Sequence, residues 1–276
     1  MKEIPEDGLH RDVPADDYHS WHAHSVSRMK IAERSLKHYH HALTHPTEQT
    51  AAMALGSATH TGVLEPDKFD GLYVKSPKFD MRKKVDKLAA AEFELEHPDQ
   101  TRLTESEWDL IAGMKDAVWA HPVAREMLGG EGIVEASAVW TDPATGMRMK
   151  ARPDYITTFD GWNHVIDLKT AKDGSRREFS RAVANLKYYW QAAHYLDGLD
   201  VIAPASRCFT FIVVENTPPH AVAIYTMDEG DIDQGRAELA KVVAGIAEAE
   251  RENTWPGYPA EVSEIQLPAW AQRSPE

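Results

Sequence analysis

The sequence predicts an α/β fold: a mixed central sheet flanked by helices, with a helical N-terminal part. Three observations predict it. Apolar residues recur at helical spacing through much of residues 18–121. From 134 to 169 they alternate in short runs separated by Asp-Pro and Asp-Gly turns. From 178 onward helix-like and strand-like stretches take turns, which supplies helices to cover the sheet.

Element by element, residues 1–17 are polar and acidic and are expected to form a flexible tail. Tyr18 to His45 reads as helical, with Ser25 or Ser27 as a cap. Thr47 to Leu64 is an Ala-rich helix that ends before Pro66, since the residue ahead of a proline is pushed out of the helical region. Residues 66–103 are mixed and charged. Thr104 and Glu107 make a capping box for a helix reaching about His121. Val134–Thr141 and Met147–Thr157 alternate around the turn Asp142-Pro143-Ala144-Thr145-Gly146 and predict a hairpin. After Asp160-Gly161 comes a strand, His164–Lys169, and then one helix, Glu178–Leu199, stopped near Gly198. Arg207–Val214 and Ala221–Thr226 read as strands around Pro218-Pro219, and Asp228–Glu252 as a final amphipathic helix. The expected division is a single domain over 18–270, with a helical portion at 18–121 and a sheet core at 133–252, between tails at 1–17 and 271–276.

The 276 residues can bury one sizeable core. No run approaches the length of uncharged apolar sequence that spans a bilayer, and the N-terminus lacks a signal-peptide core. A single cysteine, Cys208, lies in an apolar run and reads as a core residue. It excludes an intrachain disulfide and any all-cysteine metal site, and a reducing, cytoplasmic setting is expected. The histidines between His19 and His45 match no familiar zinc motif. A net charge of −14 argues against a uniformly basic surface for nucleic acid. The cations are clustered, however, over Lys75–Lys87, at Arg148, Lys150 and Arg152, and at Lys169, Lys172, Arg176 and Arg177, while acids dominate the start and the stretch after Asp228. A basic channel on an acidic body is the expectation.

The stretch that carries chemistry is Arg152-Pro153-Asp154, then 12 residues, then Asp167-Leu168-Lys169. Side chains two apart on a strand share a face, roughly 6.5–7 Å apart, so Asp167 and Lys169 point together. The short connection through Asp160-Gly161 brings Asp154 alongside. Two carboxylates in contact repel unless a cation lies between them, and oxygen ligands favour Mg²⁺ or Mn²⁺. Such an ion polarises a phosphoryl oxygen and acidifies a bound water, and Lys169 would orient that water and offset transition-state charge. An exposed strand edge is the plainer alternative, but Val165, Ile166 and Leu168 make this strand apolar, where charges are costly without a purpose. Gln191 and Tyr195, at i and i+4, share one helix face about 22 residues after Lys169.

These residues resemble the PD-(D/E)xK nucleases, and Gln191 with Tyr195 resembles the Q-x-x-x-Y motif of their RecB-like and lambda-exonuclease branch. Leu55-Gly56-Ser57-Ala58-Thr59-His60-Thr61-Gly62-Val63-Leu64-Glu65-Pro66 is similar to the segment of RecE-type exonucleases (exonuclease VIII) that supplies a histidine to the metal. Trp255-Pro256-Gly257-Tyr258-Pro259 and Leu267-Pro268-Ala269-Trp270 also look like that family. The resemblance implies a restriction-endonuclease-like core. It implies Asp154, Asp167, Lys169, Gln191 and Tyr195 as catalytic, and His60, Asp154, Asp167 and the Leu168 carbonyl around Mg²⁺, for which Mn²⁺ would substitute. Glu135 either reaches the metal through water or is a surface glutamate. Lys150, Arg152, Lys172 and Arg176 are the expected DNA contacts, although Arg148, Lys150 and Arg152 equally fit a solvated face. The implied activity is exodeoxyribonuclease digestion of linear duplex DNA, 5′ to 3′, leaving 3′ overhangs for recombination. A phage or prophage role, a ring-shaped homo-oligomer and a single-strand-annealing partner go with it. The competing readings are a RecB-like endonuclease or flap nuclease, and a catalytically silent DNA-binding protein of the same fold.

Overall fold

A computed structural model describes residues 3–45 and 50–268. Its centre is a five-stranded sheet in the order β10-β9-β8-β7-β4, formed by β4 (Gly132–Val134), β7 (Tyr155–Phe159), β8 (Trp162–Ala171), β9 (Arg207–Glu215) and β10 (Val222–Thr226). Only the β8–β9 pair is parallel, so the sheet is mixed. β8 and β9 are apolar on both faces because helices cover both, as expected of central strands.

One face packs on α10 (Tyr188–Ile202) and α11 (Glu229–Glu252) through Val165, Phe209, Phe211, Val213, Trp190 and Leu239. The other packs on α4 (Ala51–Leu64), α7 (Glu105–Ala120) and α8 (Pro122–Gly129) through Ile166, Leu168, Ile212, Val63, Ile111 and Met127. The capping box of Thr104 and Glu107 opens α7, and the Thr50 and Asp228 side chains cap α4 and α11. Pro66 sits in the first turn of α5 (Pro66–Leu72). A parallel pair, β2 (Tyr73–Ser76) and β3 (Thr101–Thr104), and the largely exposed α6 (Lys84–Glu96) complete the mixed region.

The structure corrects several expectations. Tyr18 to His45 is three helices, α1 (Ala15–Ser20), α2 (Val26–Ala32) and α3 (Leu36–Thr44), because Ser25 and Ser35 are extended and each starts a new helix. The predicted start at Thr47 lies outside the described residues, as do the family-like Ala269-Trp270 and the tail at 271–276. The helix predicted over Glu178–Leu199 is two, α9 (Arg176–Asn185) and α10. Between them Lys187 takes a left-handed conformation at φ 52, which no helix continues through.

The hairpin is also divided. β5 (Ser137–Thr141) and β6 (Arg148–Ala151) pair in a separate three-stranded sheet, whereas their continuations β4 and β7 belong to the central one. Both strands break at the same level, at Glu135 (φ 48) and at Arg152-Pro153-Asp154. The third strand of the small sheet is β1 (Gly8–His10), from the segment expected to be a loose tail. It is ordered because β5 pairs with it over Gly8–His10 and side chains of β6 and its extension hold the residues on either side: Arg148 pairs with Asp7 and donates to Pro5 O at 2.6 Å, Arg152 donates to Val13 O, and beyond it Lys150 Nζ donates to Tyr18 O and Trp21 O at 2.7 and 2.9 Å. No helix among the described residues is long and apolar enough to cross a membrane.

Candidate active site

The register of the central sheet builds the site. β7 and β8 are antiparallel, with Tyr155 opposite Ile166; one step further Asp154 stands across from Asp167. Asp154 Oδ2 then accepts the Leu168 amide at 2.7 Å. Asp167 and Lys169 project together on the α10 side, as the two-residue period requires, and the ammonium forms an ion pair with Asp167 Oδ2. That oxygen accepts no well-aligned hydrogen bond among the described residues. Its twin, Oδ1, accepts from Gln191 Nε2 at 2.6 Å, and Tyr195 follows one turn on along the same face of α10. The i, i+4 pair on α10 thus leads to the buried Asp167, which is 1% exposed.

From the opposite face α4 contributes His60. Its Nε2 donates to Leu168 O at 2.7 Å, which leaves Nδ1 3.6 Å from Asp154 Oδ2. A ligating imidazole is held in this way when its other nitrogen donates to a carbonyl. The Leu168 carbonyl, expected as a metal ligand, accepts from His60 here.

Glu135, left open by the sequence, joins them. The strand break turns its backbone into the left-handed region, unusual for a residue with a side chain. Its amide donates to Asp154 O at 3.0 Å, and Arg152 Nε donates to its carbonyl at 3.1 Å and faces its carboxylate at 3.6 Å. Ligand atoms of His60, Glu135 and Asp154 all lie within 4.8 Å of one another. Burial and the neighbouring Asp154 push Glu135 up to about 8. Burial also pushes Asp154 up, with His60 pulling against it and Asp167 adding to it. Burial pulls Lys169 down, but Asp167 and Asp154 hold it above its ordinary value. Acids crowded this way lack positive charge, and one imidazole nitrogen with two carboxylates is a donor set that fits a divalent ion such as Mg²⁺ or Mn²⁺. Glu65, at the end of α4, is an acid the sequence reading missed. Its charge is felt at Glu135, and only its place beside His60 in the 55–66 segment could have signalled it.

The four cations expected to contact DNA separate into two kinds. Lys172 and Arg176 are exposed. Lys150 is 2% exposed and, like Arg152, is engaged with backbone carbonyls of the N-terminal segment. The strand break at 152–154 ends the common phase that would have aligned them with Asp154.

The sequence pattern of the family described as "PDDEXK-like domain of unknown function (DUF3799)" matches residues 25–267. No curated protein matches the chain. Among solved structures, a protein from Eubacterium rectale named as "Putative exonuclease" superimposes with a TM-score of 0.62 at 10% identity, over 94% of this chain and 97% of that one. A protein named SSO0001 aligns at 13% identity over 68% of this chain and 86% of its own, with a TM-score of 0.29, too low to carry an argument. The mixed sheet with helices on both faces is the restriction-endonuclease-like fold, and the chain belongs to the PDDEXK-like family DUF3799.

Proposed function

We propose that this protein is a divalent-metal-dependent phosphodiesterase acting on DNA, an exodeoxyribonuclease that degrades linear duplex from its 5′ end. One observation carries the reading: the convergence of His60, Glu135, Asp154, Asp167 and Lys169 where β7, β8 and α4 meet. His60, Glu135 and Asp154 would hold the ion, with Asp167 beside them. A bound Mg²⁺ or Mn²⁺ supplies neutralisation at the phosphate and a more acidic water. Lys169, kept protonated by Asp167, presents its ammonium to the developing charge on the phosphoryl oxygens. Gln191 holds the Asp167 carboxylate in place, and Tyr195, one turn on, lines a cleft with Arg28 and Ser25.

The test is product analysis on 5′- or 3′-labelled linear duplex, with closed circles in parallel, in Mg²⁺ or EDTA. The expected result is Mg²⁺-dependent loss of the 5′ label first, with circles intact. Asp167→Ala should slow turnover by about 10³-fold or more, beyond the cost of losing one transition-state contact. Linearised circles would favour an endonuclease, and unchanged turnover in Asp167→Ala would overturn the catalytic assignment. The annealing partner and the ring are part of the same proposal; sedimentation of the pure protein checks the ring.

A further inference from the structure

Tyr188 opens α10 directly after the left-handed Lys187, and its ring has two ammonium groups near it. Lys169 Nζ lies 4.7 Å from the ring centroid and Lys30 Nζ, reaching over from α2, lies 5.5 Å from the same centroid. Cations within about 6 Å of a ring are held by its quadrupole, so one tyrosine keeps two positive charges beside it, close enough for Lys169 to be felt at Lys30. Lys169 is balanced by Asp167. Lys30 has no carboxylate partner among the described residues; its hydrogen bond is to Leu186 O, at 2.7 Å. That carbonyl belongs to the α9–α10 break, so the bond fixes the ammonium without neutralising it.

The carboxylates nearby are bound to other partners, Asp167 to Lys169 among them. Lys187 is a neighbour, but it is already paired with Glu33 and Glu238. A cleft of about 440 Å³ opens beside Tyr188 and Leu186, lined by exposed Lys172 and by Asp173 and Glu178, whose carboxylates are engaged with the Ser175 amide and with Arg177 and Arg181. Burial, then Lys169, pull the Lys30 pKa down to about 8, Asp167 acting against them, which fits an ammonium short of a counter-charge.

We infer that Lys30 is a substrate-binding residue, which holds a phosphodiester group of the nucleic-acid backbone next to the one being cut, the latter facing Lys169 on the shared Tyr188 ring. Tyr188 is the positioning residue that sets the two ammonium groups. The assignment rests on the nuclease reading for its substrate, and it makes the N-terminal helical part contribute to the site rather than only support it.

The test has a variant arm and a variant-free arm. In the first, KM for linear duplex is measured across a salt series for the wild type, Lys30→Met and Lys30→Arg. Loss of one phosphate contact should flatten the slope of log KM against log salt by about 0.7–0.9. Lys30→Met should show that change with a KM rise of about tenfold and kcat little altered, and Lys30→Arg should keep the wild-type slope. An unchanged slope in Lys30→Met, or a fall in kcat alone, overturns the assignment and leaves Lys30 as a support for the helix break. In the second arm, wild-type protein without added Mg²⁺ is acetylated with and without linear duplex, and modification of Lys30 is read by peptide mass. Protection by DNA supports the assignment even if Lys30→Met fails to fold, and equal modification overturns it. A wild type that protects Lys30 yet cuts nothing would defeat the nuclease reading alone. Cleavage with Lys30 unprotected and the slope unchanged would defeat this inference alone.

Discussion

At the scale of single residues the site is an arrangement of excess negative charge. Glu135, pushed up to about 8 by burial and by Asp154, binds protons in the folded state between its ordinary value of 4.5 and that point. The sign follows: a raised acid loses stability as pH rises through this window, so at pH 8 an ionised Glu135 weakens the fold. Glu135→Gln should therefore raise the thermal midpoint in EDTA. The wild type should gain stability on adding Mn²⁺ or Mg²⁺ and the variant should gain less, because a ligand that binds only the folded state stabilises by mass action. Thermal scans in the two buffers check this, and equal metal-induced shifts would remove Glu135 from the ligand set. Lys150 makes the opposite point. Lys150→Met would leave the carbonyls of Tyr18 and Trp21 without their donor, a cost of about 1–3 kcal/mol. The midpoint should fall while the salt dependence of DNA cleavage stays as in the wild type. A flattened salt dependence would restore Lys150 as a phosphate contact.

At the scale of elements, the placement of α10 decides where Gln191 and Tyr188 stand, and α11 sets α10. A methyl group added at Gly235 of α11 would come within 2.6 Å of the Tyr189 carbonyl oxygen, a backbone atom that cannot turn aside. Gly245, on the same helix, has nothing within 4 Å of that position. Replacing a helical glycine by alanine ordinarily stabilises by roughly 0.5–1 kcal/mol. Gly245→Ala should follow that rule. Gly235→Ala should instead destabilise by about 1–3 kcal/mol from overpacking, and should lower turnover by shifting Gln191. Denaturant midpoints of the two variants test the contrast. If both rise, the α10–α11 contact is not tight. Glu238 reinforces that contact by accepting from Tyr189 and Trp190 at 2.8 and 2.7 Å. Its carboxyl is held down at about 2, first by Gln234.

At the scale of the whole molecule, two buried imidazoles make the fold sensitive to acid. Burial pulls His24 and His194 from 6.5 down to about 4. Between those values the unfolded chain binds protons that the folded chain refuses, so stability rises with pH there and is lost as pH falls below about 6.5. These two groups draw the thermal midpoint down from pH 7 to pH 5, against the rise that Glu135 contributes over the same window. His194→Gln, which keeps a donor for the Lys150 carbonyl, should drop less. Parallel pH dependence in variant and wild type would show that His194 takes up its proton equally in the folded and unfolded chain, so that burial does not lower it.

Much of this was readable without coordinates. The capping box, the strand from His164 to Lys169 and the spacing of Asp154, Asp167 and Lys169 rest on local periodicity, which the chain carries in itself. Which charges meet was a different matter. His60 lies 94 residues before Asp154 in the chain, and its place was available only through resemblance. Glu135 was open because nothing local announces a left-handed break that turns a strand-end carboxylate inward. Lys150 read as a DNA contact or a solvated cation because its partners, the carbonyls of Tyr18 and Trp21, lie 132 and 129 residues away in the chain. Sequence alone determined the α/β class, the strands and helices of the central layer and the acidic pair with its lysine, since alternation and helical spacing are properties of neighbours. Tertiary structure decided whether each cation faces a carbonyl, a carboxylate or open solvent, because that depends on long-range packing between segments whose separation in the chain says nothing of their distance in space.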